Sequence, residues 1–189
     1  MDSILIRTLN GEKTNRPPVL FMRQAGRILP NYMQLKELYT FHELMNDKDL
    51  ASKVTLLPIQ DLNVDAAILF SDILVIPHAL GLDVEFRKTG PIFNNPLNFN
   101  SKAADLEFDS SKLNYIYNNI KQVQSDKNQN TPLIGFCGGP LTVFLFMFKR
   151  EGSKDHMKKA IKYLYENREE SKKILELITE SSVDYVKGQ

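Results

Sequence analysis

Cysteine is nearly absent: Cys137 is the one thiol in 189 residues. An internal disulfide framework is thereby excluded, and the chain suits a reducing compartment, so the cytoplasm is the expected location. Neither sign of charge dominates. Lys and Arg number 24 against 23 Asp and Glu, which leaves no overall basic field to hold nucleic acid. Long apolar runs are missing too. The longest, Val143 to Phe148, is far too short to cross a bilayer, and Met1 to Arg16 lacks the apolar core of a signal peptide. No repeat, low-complexity segment or Gly-Ser linker breaks the chain, and a single domain over 1–189 is expected. What remains is a chain that is 42% hydrophobic, enough for one sizeable core.

Pro17-Pro18 leads into an apolar run, Pro18 to Phe21, which reads as a buried strand. Helical spacing follows at Asn31 to Tyr39, with Tyr32, Leu35 and Leu38-Tyr39 on one face. Asp47 is a plausible N-cap for a second helix, with Leu50, Val54 and Leu57 inward before Pro58. Asp65 to Phe70 has no alternation, as expected for a strand buried on both faces of a parallel sheet. Ile73 to Ile76 stops at Pro77; Gly81 to Phe86 reads as a short strand and Gly90 to Asn100 as an irregular loop. Leu113, Ile116-Tyr117, Ile120 and Val123 mark one helical face, and Pro132 to Phe136 is the next buried strand. Pro140 suits a first helical position, opening an all-apolar helix over 140–148 that should be buried. Lys154 to Lys187 is charged, with Met157, Ile161, Leu164, Leu175, Ile178 and Val186 at helical spacing. Asn167 with Glu170 resembles a capping box that divides this stretch into two helices.

Apolar strands alternating with helices imply right-handed βαβ units. A (β/α)₈ barrel arranges them with active residues after the strands, where Arg23 and Asp72 both fall. Yet only three or four strands are counted, and a barrel typically takes about 250 residues. The chain is either a smaller open sheet or a barrel that stops partway round.

Three places carry chemistry. Arg23 and Arg27 flank Gln24-Ala25-Gly26 on a tight loop; guanidinium forks match carboxylates bidentately, so a substrate with several carboxylates is expected. Asp72 ends an apolar run, where a carboxylate must be paired or accept hydrogen bonds. It either pairs with an arginine or receives N–H donors and developing positive charge. Gly138-Gly139-Pro140 opens a helix and could meet an anion, though it lacks a full phosphate-loop pattern.

Phe21-Met22-Arg23-Gln24-Ala25-Gly26-Arg27, with Leu29-Pro30 and Tyr32, strongly resembles the N-terminal signature of the uroporphyrinogen decarboxylase family. Phe70-Ser71-Asp72-Ile73-Leu74 matches its aspartate motif, Ala79-Leu80-Gly81 through Gly90-Pro91 continues the match, and Gly135 to Thr142 looks like its glycine-proline motif. The C-terminal stretch through Asp184 to Gln189 follows the family as well. The resemblance implies a TIM barrel, usually a homodimer with facing clefts, that needs no metal or other cofactor. It implies removal of CO₂ from four acetate side chains of uroporphyrinogen III to give coproporphyrinogen III, on the route to haem. Arg23, Arg27 and Asp72 are then the catalytic candidates, and Arg23, Gln24, Ala25, Gly26, Arg27, Asp72 and Phe146 the substrate-binding ones. The arginines would grip acid arms and Asp72 the four converging pyrrole N–H groups. A proton-donor role sits uneasily with an arginine pKa.

Departures from the family pattern are Ile28 for Tyr, Asn31 for Glu, Leu141 for Trp, and Phe146 for a substrate-binding Tyr. Phe keeps the ring but cannot hydrogen-bond a carboxylate, so weaker binding is expected. Family chains are about twice this long, so only about the N-terminal half of the barrel is expected here, and the 189-residue chain alone is expected to be inactive. Two alternatives stand beside this reading. One is a non-catalytic fragment with residual anion binding. The other is a cobalamin-linked methyltransferase of the same superfamily, which would need a His/Cys zinc site from Cys137 and the scattered His42, His78 and His156. His78 reads as a loop residue, and His156 as an exposed or structural helix residue.

Overall fold

The computed structural model describes residues 3–21, 29–87 and 90–189. The chain divides into two compact units, Met1–Ser71 with Tyr115–Phe136, and Asp72–Asn114 with Cys137–Gln189.

The first unit holds helices α1 (Ile4–Leu9), α2 (Pro30–Leu38), α3 (Phe41–Asn46) and α4 (Lys48–Leu62), strand β1 (Ala67–Ile68), and, numbered in chain order, α6 (Asn114–Asp126) and β4 (Leu133–Ile134). β1 and β4 pair in parallel, Ala67 opposite Leu133 and Ile68 opposite Ile134. Such a pair requires a crossover, here the whole of 69–132. Asp47 caps α4 as expected, its carboxylate accepting from the Asp49 and Leu50 N–H groups. The helix does not stop at Pro58. That residue is buried within it and α4 runs on to Leu62, so packing of the ring offsets the hydrogen bond proline cannot give. The short α3 was not anticipated; Thr40 and Glu43 close it with a reciprocal capping box.

Pro18–Phe21 is not a buried strand: Val19, Leu20 and Phe21 are exposed. The segment is held by its backbone, with the Asp65 N–H donating to the Val19 carbonyl and the Val19 N–H to the Asp65 carboxylate. Arg16 grips the same carboxylate with both terminal nitrogens at 2.7 and 2.8 Å and holds it below the usual carboxylate range. The strand expected over Asp65–Phe70 shrinks to β1 for the same reason, because its ends bond elsewhere. At one end Asp65 turns to Val19; at the other the Phe70 N–H donates to Thr55 Oγ1 at 3.0 Å.

Thr55 is buried on α4, and its hydroxyl donates a hydrogen bond to the Ala51 carbonyl. Thr55→Val keeps the shape but strands the Phe70 N–H. An unsatisfied buried donor costs about 1–3 kcal/mol, so chemical unfolding should register a loss of that size, whereas an unchanged midpoint would mean that the bond carries no weight. Asn119 does similar work on α6, donating to the Met45 carbonyl at 2.7 Å from a buried position.

The second unit holds α5 (Val75–Ala79), β2 (Val84–Arg87), β3 (Gly90–Phe93), α7 (Pro140–Phe146), α8 (His156–Glu166) and α9 (Arg168–Gly188), with 3₁₀ turns at Ala103–Asp105 and Ser110–Leu113. Its core gathers Phe144, Phe148 and Tyr163 with Ile174, Ile178 and Tyr185. The Phe144–Phe148 and Phe148–Tyr163 ring centroids lie 5.4 and 5.3 Å apart, within the range of favourable aromatic pairs. Gly90–Asn100 is not wholly irregular, since β3 pairs antiparallel with β2. Two glycine-proline residues disguise it: Gly90 has a φ of 105°, and Pro91 is tolerated at the margin of a two-stranded ribbon. His78 sits in the last turn of α5, not in a loop.

The division at Asn167 is found, but the capping box is not. The Asn167 amide donates to the Tyr163 carbonyl, and Glu170 accepts from the Ala103 N–H and Lys173. The inward face is only partly the one expected: Ile178 is buried as read, but Met157, Ile161 and Val186 are exposed, and Ala160, Tyr163, Ile174 and Tyr185 are buried instead. At the other positions, counting apolar residues at helical spacing picked a neighbouring stripe, because small and aromatic residues fill the real one. Likewise α7 is not buried all round, since Leu141 is 52% exposed.

Candidate active site

Asp72 follows the stretch anchored at Phe70 by Thr55 and opens the second unit. Its Oδ1 accepts from the Leu74 N–H at 2.8 Å, an Asx turn that leads into α5. The carboxyl is partly buried, and that burial pushes its pKa above the ordinary carboxylate value, with the Leu74 bond pulling the other way. No arginine or lysine forms an ion pair with it among the described residues. The second carboxylate oxygen therefore keeps its capacity to accept. Beside it, the Ser71 hydroxyl is buried with no hydrogen-bond partner, a feature that no motif or spacing singles out.

The glycine-proline turn reaches this place directly. A Cβ on Gly138 would lie 2.6 Å from Val143 Cγ2 and 2.9 Å from Ile73 Cβ. The turn after β4 thus packs against the residue next to Asp72, at a distance only glycine allows. Gly139 then caps α7, with Pro140 at its first position as expected. Phe146 closes α7. Its ring is partly buried, 6.0 Å from the His156 ring and 5.9 Å from Lys149 Nζ, and being a phenyl group it offers no hydrogen bond.

Two of the three sequence motifs, at Asp72 and Gly138, are thus brought into contact. The third lies outside the described residues: Arg23, Gln24, Ala25, Gly26 and Arg27 all do. Their flank is fixed by Leu29, almost fully buried ahead of α2. Asn31, one of the departures, donates to Asp61 Oδ1 at 2.8 Å and so ties α2 to α4.

Among the described residues no group of three or more His, Cys, Asp or Glu is placed to hold a metal ion. Cys137, His42 and His78 are exposed, whereas both ring nitrogens of His156 are buried without a hydrogen-bond partner. No helix among the described residues is long and apolar enough to cross a membrane.

The family model described as uroporphyrinogen decarboxylase (URO-D) matches residues 2–189. Similar curated proteins are the uroporphyrinogen decarboxylases of Christiangramia forsetii, 38% identical over 98% of this chain and 55% of theirs, and Rickettsia bellii, 41% identical over 93% and 52%. That of Campylobacter concisus is 43% identical over 91% of this chain and 52% of its own. The chain spans about half the length of these relatives. Among solved structures, a methyltransferase from Methanosarcina mazei superposes on the whole chain with a TM-score of 0.71, at 17% identity and over 56% of its own length. That likeness speaks to fold alone. The fold is that of the (β/α)₈ barrel family, with about half of the barrel present. From Asp2 to Gln189 the chain belongs to the uroporphyrinogen decarboxylase family, of which it carries the N-terminal portion.

Proposed function

We propose that this chain supplies the pyrrole-binding half of a catalyst that converts uroporphyrinogen III to coproporphyrinogen III by removing CO₂ from four acetate arms. The observation that carries the reading is the state of Asp72: partly buried, bonded to one backbone N–H, and unpaired with any described cation. Such a group is poised to accept the macrocycle's central N–H donors. Protonation of a pyrrole carbon next to an acetate arm gives a cation delocalised over the ring. The C–C bond to the carboxylate then breaks, its electron pair moves into the ring, and CO₂ departs; a proton added at the exocyclic carbon makes the methyl group, and the proton first placed on the ring carbon leaves to restore the pyrrole, so each acetate takes up one proton net. A carboxylate fixed at the ring centre favours that cation electrostatically and needs no reorganisation to do so. Arg23 and Arg27 hold the acid arms, with Gln24, Ala25 and Gly26 letting the backbone approach. Phe146 supplies a flat apolar contact but no hydrogen bond, which predicts a raised KM more than a lowered kcat. No metal or prosthetic group is required. Cytoplasmic location and pairing of two family-length chains with facing clefts belong to the same reading.

The test is anaerobic incubation with uroporphyrinogen III, followed by oxidation and separation of the porphyrins by carboxylate number. A family-length protein carrying this chain should yield the four-carboxylate product after chelator treatment, and the 189-residue chain alone should yield none. No CO₂ release by the family-length protein would remove the reading; turnover by the short chain would remove its second part.

A further inference from the structure

The phenyl ring of Phe146 offers a carboxylate arm no hydrogen bond, but two nitrogen-bearing side chains flank it. Lys149 Nζ lies 5.9 Å from the ring centroid. The His156 ring lies 6.0 Å from the same centroid, tilted by 40°. Both come from the turn that joins α7 to α8. Lys149 is fixed by its backbone, its N–H donating to the Phe146 carbonyl at 2.8 Å and its carbonyl accepting from the Phe93 N–H of β3 at 2.9 Å. Its stem then runs past Gly90, where an added Cβ would lie 3.5 Å from Nζ. His156 is the first residue of α8.

The acids of that turn are already engaged. Glu151 pairs with Arg87, and Asp155 with Lys159 at 3.0 Å; the Ser153 hydroxyl donates to Asp155 as well. Among the described residues no carboxylate pairs with Lys149 or His156.

His156 is the more telling of the two. Both of its ring nitrogens are buried without a hydrogen-bond partner. An imidazole carries at least one N–H donor in every protonation state, and a buried polar atom left unpaired is an exception that asks for a cause. A histidine placed for packing alone would gain from being apolar. A carboxylate brought against Phe146 would give this one its missing acceptor and the Lys149 ammonium a counter-charge.

We propose that Lys149 and His156 together supply the hydrogen bonds that Phe146 cannot make, holding one carboxylate arm of the macrocycle against the phenyl ring. The contact given up by a phenyl group is thereby recovered in part, through charge-assisted bonds. The identity of the ligand rests on the catalytic reading; the chemistry of the site, an apolar ring edged by two nitrogen donors, does not.

Anaerobic equilibrium dialysis of a family-length protein against coproporphyrinogen III tests it, beside steady-state turnover of uroporphyrinogen III. Lys149→Met with His156→Phe should weaken binding and raise KM at least about tenfold, the scale of losing one charge-assisted hydrogen bond, with kcat moved far less. Phe146→Tyr in that background should recover most of the loss, yet tighten the wild type by at most about threefold, the non-additivity of residues that serve one group. Lys149→Arg keeps the charge and should hold binding within about twofold. Lys149→Met alone should cost about threefold and leaves His156 in place, so it decides the matter if the His156 change hinders folding. Variants that hold the macrocycle like the wild type overturn the proposal and leave the catalytic reading standing, as does a Phe146→Tyr effect of equal size in both backgrounds. Binding that weakens as expected in a protein that releases no CO₂ upholds the site and removes the catalytic reading instead.

Discussion

Asp72→Asn should lower decarboxylation by a family-length protein at least about 100-fold, the scale seen when one preorganised electrostatic group is removed, and should at the same time raise stability at neutral pH. The amide is nearly isosteric and its oxygen can still accept from the Leu74 N–H, so the turn into α5 survives. What disappears is the negative charge, and with it the acceptor proposed for the macrocycle's N–H groups.

The stability sign follows from linkage. Burial raises the Asp72 pKa in the folded state, so across the interval between the unfolded value, about 3.9, and the higher folded value the native chain holds more protons than the unfolded one. Stability then falls as pH rises through that interval. The contribution of protonated Asp72 is complete below the unfolded value and lost above the folded one. Asn does not titrate. Thermal unfolding from pH 3.5 to 7 should therefore show the variant gaining on the wild type as pH rises. A variant less stable than wild type at pH 7 would mean that the carboxylate is a structural anchor.

Gly138→Ala should cost about 1–3 kcal/mol, the usual range for overpacking a filled site, and lower Tm by about 2–4 °C per kcal/mol in a chain of this length. The added carbon would meet Val143 Cγ2 at 2.6 Å and Ile73 Cβ at 2.9 Å. Both are branched side chains close to their own backbone, so neither can swing clear. Because Ile73 adjoins Asp72, the push is transmitted to the carboxylate, and catalysis should fall along with stability. Gly139→Ala is the matched control: beyond its chain neighbours the added carbon would meet only Thr142 Oγ1, 3.9 Å away, and the effect should stay near zero. Trimming the obstacle with Val143→Ala in the Gly138→Ala background should recover part of the loss. Equal behaviour of the two glycine variants would show that the contact is slack.

What could be read in advance was whatever is local. Asp47 announced α4 through its own side chain, Asn167 marked the break between α8 and α9, and Pro140 marked the start of α7. Asp72 stood out because a carboxylate ending an apolar run must find donors. What escaped depended on distant partners. Nothing near Phe70 says that its N–H will leave the strand for Thr55, fifteen residues earlier. Nothing in Pro18–Phe21 says that Asp65 will hold its backbone while its side chains face out. Apart from Ile178, the buried stripe of α8 and α9 was misplaced, because Ala160 and Ser171 carry little hydrophobic signal, yet they let Tyr163 and Tyr185 sit in the core. The contact of Gly138 with Ile73 joins residues 65 apart, and no spacing rule reaches that far.

One structure tests the proposed role of Asp72 most directly: a crystal of a family-length protein carrying this chain, grown with coproporphyrinogen III. The carboxylate oxygens should lie about 2.7–3.2 Å from the pyrrole nitrogens, at hydrogen-bond distance, with Oδ1 still facing Leu74. A macrocycle seated elsewhere, or an Asp72 carboxylate turned away from its nitrogens, would contradict the role assigned to it.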